Sequence, residues 1–254
     1  MAKKIRLIAR LDVKDENLVK GIQYEGLRKL GPPHDFALRY YQQGIDELLY
    51  LDTVASLYGR NNLSDILQRT SCDIFIPVTA GGGVRSVDDV RTLLRMGADK
   101  VAINTAALKI PALITEVAQT FGRQCMVLSI QAKRRSDGGW EAYYDNGREH
   151  SGLDAVAWAA EGEKLGAGEI LLTSVDAEGC RHGMDTALIQ AVCDVVRIPV
   201  IAAGGLCCAQ DAVQAAQAGA CAVAVASALH YGTQTIAGLK QGISDLGVEI
   251  RPCV

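Results

Sequence analysis

The stretch IPVTAGGG, residues 76–83, returns 122 positions later as IPVIAAGG, residues 198–205, with six of eight residues identical. Each copy is a short β-branched run that ends in glycine. The same offset recurs on either side. GIDELLYLD (44–52) aligns with GAGEILLTS (166–174), and GADKVAINTA (97–106) aligns with GACAVAVASA (219–228). Three blocks in one order at one offset define an internal repeat. The period is too long for a solenoid. It fits a single domain over 1–254 made of two similar halves, about 1–122 and 123–254.

Each half alternates strand-like runs with segments of helical period. The pattern predicts strands near 5–12, 47–52, 74–80 and 100–103, then near 125–131, 169–174, 198–203 and 221–226. Amphipathic segments lie between them, near 33–43, 62–72, 86–97, 110–121, 153–165, 185–195, 209–218 and 234–246. Ser86 followed by Asp88 and Asp89 suits a helix start. Gly44, Gly97, Gly166 and Gly219 suit helix ends. Eight β-α units in this length have the dimensions of an α/β fold of the (β/α)8 barrel type. A doubly wound open sheet is the alternative, and it does not explain two matched four-strand halves.

The composition excludes several functions. The chain is 49 % apolar, enough for a large core, and its net charge is −3. No Lys/Arg stripe suits nucleic acid; KRR at 133–135 reads as a solvated loop. Arg6, Arg10 and Asp12 interrupt the first apolar run, which argues against a signal peptide. Gln210, Asp211, Gln214 and Gln217 break up the Ala/Val-rich stretch 198–231, which argues against a membrane span. The expectation is a soluble, cytoplasmic protein with no membrane or nucleic-acid partner. Eight cysteines include no C-x-x-C pair, and the four histidines lie far apart. No metal site or cofactor is expected, and the cysteines read as small, buried, reduced apolar residues.

In a barrel of this type the chemistry sits where strands end. AGGG (80–83) and AAGG (202–205) end the third and seventh strands. INT (103–105) and VAS (225–227) end the fourth and eighth, each with a hydroxyl beside exposed amides. Glycine lets backbone N–H groups approach an anion closely. The pairing predicts two phosphate sites facing each other across the mouth, one with Gly82 and Gly83, the other with Gly204 and Gly205. A tight turn alone explains a glycine, but not glycine plus hydroxyl twice at one offset.

LDVKD (11–15), LVKG (18–21), GIDEL (44–48), GADKVAINTAA (97–107), AQTFG (118–122) and GAGEILLTS (166–174) together resemble the cyclase subunit family of imidazole glycerol phosphate synthase. The likeness covers nearly the whole chain. It implies a glutaminase subunit docked on the N-terminal face of the barrel, as a heterodimer. Ammonia then passes through the barrel to a bisphosphorylated ribonucleotide-type or phosphosugar ligand at the mouth. By the resemblance, Gly83, Asn104 and Thr105 hold one phosphate; Gly179, Gly205, Ala226 and Ser227 hold the other. Lys20, Asp52, Lys133, Thr173 and Asp176 complete the substrate site. The ammonia entrance is a ring of Arg6, Glu47, Lys100 and Glu169, with Asp46 and Asp99 facing the partner.

The family's general acid and base are two aspartates. One is present as Asp12; the position of the other, in LSIQAKR (128–134), is Gln131. Glutamine orients by hydrogen bonds but does not titrate near neutral pH. Arg10 shares the inward side of the first strand with Asp12, where the family usually has a small residue, and a buried guanidinium requires a carboxylate or carbonyl partner. Asp12 or Asp52 would serve. Glu178 stands where the family has Asp. Three functions remain open at this point. The first is the cyclase itself, with Asp12 sufficing or Asp52 or Asp176 substituting for the second carboxylate. The second is a divergent relative that delivers ammonia to a third, amidinating enzyme in acetamidino-sugar synthesis; LYLDTVASLYGRNNL (49–63) resembles those relatives. The third is a non-catalytic phosphosugar-binding barrel. Loop 15–31, with Lys20, is expected to close over ligand. The turn signals Asp137-Gly138 and Asn146-Gly147 flank WEAYY and predict a hairpin within 132–152.

Overall fold

The computed structural model describes residues 4–55 and 63–253. Its first element is β1 (Lys4–Lys14), followed by the antiparallel pair β2 (Asn17–Ile22) and β3 (Glu25–Gly31), then α1 (Pro33–Gln42). Next come β4 (Glu47–Asp52), α2 (Leu63–Asp73), β5 (Val78–Gly81), α3 (Val87–Arg95) and β6 (Lys100–Ile103). After them lie the short α4 (Thr105–Lys109), α5 (Ala112–Phe121), β7 (Met126–Arg134), and a hairpin of β8 (Trp140–Tyr144) and β9 (Glu149–Asp154). The chain finishes with α6 (Ala155–Leu165), β10 (Glu169–Ser174), α7 (Thr186–Cys193), β11 (Val200–Ala203), α8 (Ala209–Gln217), β12 (Ala222–Val225), α9 (Ser227–His230), α10 (Ile236–Asp245) and β13 (Glu249–Ile250).

Eight of these strands pair in parallel, in the order β1-β4-β5-β6-β7-β10-β11-β12, and β12 returns to β1. The sheet closes on itself as a (β/α)8 barrel. Alternation along each strand then sorts side chains into two cores. Leu7, Ala9, Leu11 and Val13 of β1 face the helices. Ile8 faces inward and packs with Leu49, Val127, Leu171, Ile201 and the alanines 102, 203, 222 and 224. No helix of the described residues is long and apolar enough to cross a membrane.

Local chemistry explains the boundaries. Ser86 and Asp89 cap α3 reciprocally: Asp89 N donates to Ser86 Oγ at 3.2 Å and Ser86 N to Asp89 Oδ2 at 3.0 Å. One repeat later Asp211 accepts from Cys207 N and Cys208 N at 2.7 and 3.0 Å. Strands expected from 74 and 198 begin at Val78 and Val200, because Pro77 and Pro199 have no N–H for the ladder. Their carbonyls still accept, from Leu48 N and Ile170 N, each at 2.9 Å. The helix expected over 110–121 is α5, and Pro111 separates it from the short α4, which the pattern did not predict. Segment 15–31, expected as a loop, is the β2–β3 hairpin. It turns at Gln23 and Tyr24, both at positive φ (50° and 63°). The expected hairpin within 132–152 is present and adds to β7. The cysteines correct the sequence reading. All eight are free, but none is buried: Cys72, Cys221 and Cys253 are exposed and the others half-buried. Residues 56–62 of the stretch 49–63 lie outside the described residues.

At the end of α9, His230 stacks on Tyr40 with ring centroids 5.9 Å apart, and its Nδ1 lies 2.8 Å from the Tyr40 hydroxyl. Burial, aided by the nearby Lys20 charge, pushes the imidazole from 6.5 down to about 3. Between those values the unfolded chain holds a proton that the folded chain does not, so stability falls as pH drops. Urea unfolding at pH 6.5, 6.0, 5.5 and 5.0 is expected to show a loss of up to about 1.4 kcal/mol per pH unit. His230→Asn is expected to flatten that slope.

Candidate functional site

The carboxyl ends of the barrel strands form a mouth whose centre is a wholly buried ion cluster. Arg10 Nε donates to Asp12 Oδ1 at 2.8 Å, Nη2 to the Tyr24 hydroxyl at 2.8 Å, and Nη1 to Thr173 Oγ1 at 3.4 Å. Glu178 Oε2 lies 3.5 Å from Nη1. From the β2–β3 hairpin Lys20 Nζ bridges Asp12 Oδ2, at 2.9 Å, and Glu178 Oε1. Two cations and two anions thus balance in a buried place. Burial by itself raises the Asp12 carboxyl; the Arg10 and Lys20 charges outweigh it and hold the group well below the usual carboxylate range. Burial likewise works against the Lys20 ammonium, and Asp12 and Glu178 raise it above its ordinary value. Asp12 therefore stays ionised, as the Arg10 position in the sequence implies, and is a weak base while the cluster is closed.

Two hollows flank this cluster. One, of about 310 Å³, is lined by Asp52, Gly82, Gly83, Asn104, Thr105 and Gln131, together with Arg85, Lys109, Ser129 and Asn146. The other, of about 20 Å³, is lined by Gly179, Gly204, Gly205, Ala226 and Ser227, with Glu178 and Arg181. Arg10 lines both. The glycines have a second reason to be glycine. A Cβ on Gly82 (φ 101°) would lie 2.2 Å from Asp52 O, and one on Gly204 (φ 94°) 2.5 Å from Ser174 O. The neighbouring strand, as well as any ligand, requires them. After β6 and β12 the matched residues Asn104 and Ala226 share nearly one conformation, φ/ψ −115/−81° and −125/−83°, and each begins a short helix.

Gln131 is held from both ends. Its Oε1 accepts from Gly147 N at 2.9 Å and its Nε2 lies 3.4 Å from Asn146 Oδ1. Asp52 Oδ1 caps the following turn, accepting from Val54 N and Ala55 N at 2.9 Å each. Two expected substrate residues sit elsewhere. Asp176 is exposed and its Oδ2 accepts from Arg134 N at 2.8 Å. Lys133 Nζ lies over the Tyr143 ring, 4.8 Å from its centroid. Sequence reasoning missed Tyr24, Arg85, Lys109, Ser129 and Asn146. Asn146 carried a signal as the first residue of an Asn-Gly turn, and Ser129 as the residue two before Gln131 on the same side of a predicted strand.

At the opposite end of the barrel the four expected charges close a ring. Arg6 contacts Glu47 at 2.5 Å and Glu169 at 2.6 Å; Lys100 contacts Glu169 at 2.8 Å and Glu47 at 3.4 Å. Asp99, beside them, is exposed and its Oδ2 accepts from Val78 N at 2.8 Å. Asp46 corrects the expectation that it faces a partner. It is buried, with Oδ2 accepting from Leu7 N at 2.8 Å and Oδ1 paired with Lys240 at 2.7 Å. Among the described residues no His/Cys/Asp/Glu cluster suits a metal ion.

A family model described as "Histidine biosynthesis protein" matches residues 6–235. An imidazole glycerol phosphate synthase subunit HisF of Legionella pneumophila is 62 % identical over 80 % of this chain and 95 % of its own length. HisF subunits of Mycobacteroides abscessus and a Synechococcus species are each 47 % identical, over 99 % and 98 % of this chain and 100 % and 99 % of theirs. The chain belongs to the HisF family. HisF is the cyclase subunit of an enzyme complex of histidine biosynthesis, and the mouth just described lies within the matched region.

The Asp12 carboxylate is one of two anions that Arg10 and Lys20 share. Asp12→Asn leaves Arg10 and Lys20 with Glu178 alone and is expected to destabilise the fold by about 3–5 kcal/mol at pH 7 in urea unfolding. The native pKa is depressed, so the carboxylate's contribution is complete above its unfolded value of about 3.9 and is lost below it. The gap between wild type and variant is expected to narrow as pH falls under that value.

Proposed function

We propose that this chain, as one barrel domain over 1–254, is the cyclase subunit of a glutamine-dependent imidazole glycerol phosphate synthase. A glutaminase subunit docks at the Arg6–Glu47–Lys100–Glu169 end, and ammonia travels through the alanine-lined interior to the mouth. There a bisphosphorylated substrate is cleaved and cyclised to imidazole glycerol phosphate and an aminoimidazole carboxamide ribotide. One phosphate lies against Gly82, Gly83, Asn104 and Thr105, the other against Gly179, Gly205, Ala226 and Ser227. Asp12 handles protons once the Lys20 and Arg10 bonds loosen; Gln131 orients the substrate. The observation that carries this reading is one barrel with a closed charge ring at one end and a doubled glycine–hydroxyl site at the other, in a HisF-family chain.

One observation favours a second reading. Asp12 is fully engaged by two cations, and Gln131 supplies no titrating partner. A barrel with that mouth delivers ammonia to a further enzyme without cyclising a substrate itself.

Turnover of the bisphosphorylated substrate in excess ammonium salt separates the two, because it removes dependence on the glutaminase. Wild-type turnover at a rate usual for an enzyme, about 1 s⁻¹ or faster, supports the cyclase. A missing general acid or base is worth about 10²–10⁴-fold. No detectable wild-type turnover, with a gain of that size in Gln131→Asp, overturns the cyclase reading in favour of ammonia delivery.

A further inference from the structure

A ligand phosphorylated at both ends needs one continuous groove between the two glycine sites. The structure has two separate hollows instead, and Arg10 lines both. The guanidinium is no swinging side chain. Asp12, Tyr24, Thr173 and Glu178 hold it, and it is 1 % exposed. The hairpin that brings Lys20 and Tyr24 is itself tied to the loop after β10. Gln23 N donates to Glu178 O at 2.8 Å and Gln23 Nε2 to Asp176 O at 3.0 Å. A Cβ on Gly179 would lie 2.5 Å from Gly21 O, so hairpin and loop are in close backbone contact. Displacing Arg10 strips two buried carboxylates of a partner, and lifting the hairpin takes Lys20 away as well.

The hollows differ in kind. The smaller has room for about one water molecule. The larger reaches the lower end of the size of small-molecule pockets, about 300 Å³. Arg85 and Lys109 give it positive charge, and Ser129, Gln131 and Asn146 give it neutral hydrogen-bonding groups. The Asn104 Oδ1 there is buried with no hydrogen-bond partner, an acceptor suited to a ligand hydroxyl or amine. A second phosphate in the smaller hollow meets the Glu178 carboxylate as well as Arg181, beside a cluster whose charges already cancel.

We infer that Arg10 is a specificity determinant that partitions the mouth. With its network closed the protein takes a pentose- or nucleoside-sized phosphomonoester in the larger hollow. A ligand phosphorylated at both ends binds only when the network opens. The inference rests on the phosphate-binding reading of the mouth given above and adds the ligand class that the mouth admits.

Calorimetric titration with ribose 5-phosphate and ribose 1,5-bisphosphate tests it, on wild type and on Arg10→Gln/Glu178→Gln. The double variant removes one charge of each sign and leaves Lys20 paired with Asp12. The preference for bisphosphate over monophosphate is expected to rise at least tenfold from wild type to variant. An unchanged preference overturns the inference and leaves the phosphate-binding mouth standing. Absence of binding of both probes to wild type overturns both. Amide exchange in the wild type decides the matter if the variant does not fold. Bisphosphate, and not monophosphate, is expected to speed exchange of residues 18–24. Equal protection with the two ligands overturns the inference.

Discussion

Closing eight parallel strands into a barrel gives every inward side chain a share of one narrow interior. That constraint orders the molecule along its axis. Every second residue of a strand must face in, so β1 delivers Arg6, Ile8, Arg10 and Asp12 to successive levels. The first level is charged, because Glu47, Lys100 and Glu169 arrive there from other strands and complete a ring with Arg6. The second is apolar, and four of its members are alanines. The third level receives Arg10, and a buried guanidinium must find its hydrogen bonds in protein.

The mouth follows from that requirement. The Arg10 bonds fix Asp12 from one side, and Lys20 fixes it from the other. Glu178 joins them from the loop after β10. The β2–β3 hairpin is drawn down because Lys20 and Tyr24 supply two of the contacts. Tyr24 keeps an uncommon positive φ for a bulky residue to do so. Acid–base chemistry and substrate access are therefore tied to one network. A carboxylate held between two buried cations is stable as an anion and reluctant as a base. Whatever loosens the hairpin alters both the opening between the hollows and the basicity of Asp12.

The repeat adds a second constraint, imposed at matched positions. Pro77 and Pro199 start their strands late, Gly82 and Gly204 avoid the carbonyl of the neighbouring strand, and Asp89 and Asp211 cap the next helices. These pairs explain why the glycine-ended stretches look alike without appeal to a ligand at every position. The halves diverge where the cluster sits. Arg10 stands between the two hollows, and the one at β11 and β12 is small while the one at β5 and β6 is larger.

The sequence by itself determined the barrel. Hydrophobic alternation, the 122-residue offset and the capping residues are local signals, and local signals fix strands, helices and their order. The four charges of the ring were legible through the family resemblance, and the closed barrel is what brings them together. The family was legible in long shared blocks, and so were the departures at Gln131, Arg10 and Glu178. Only the tertiary structure decided how those departures are resolved. That Asp12, not Asp52, takes Arg10, that Asp46 pairs inward with Lys240, and that Asp176 faces Arg134 depend on side-chain direction at loop ends. Tyr24, Arg85 and Lys109 joined the mouth from segments with no pattern to mark them. Residues far apart in the chain meet there because the barrel closes, and no spacing along the sequence records that meeting.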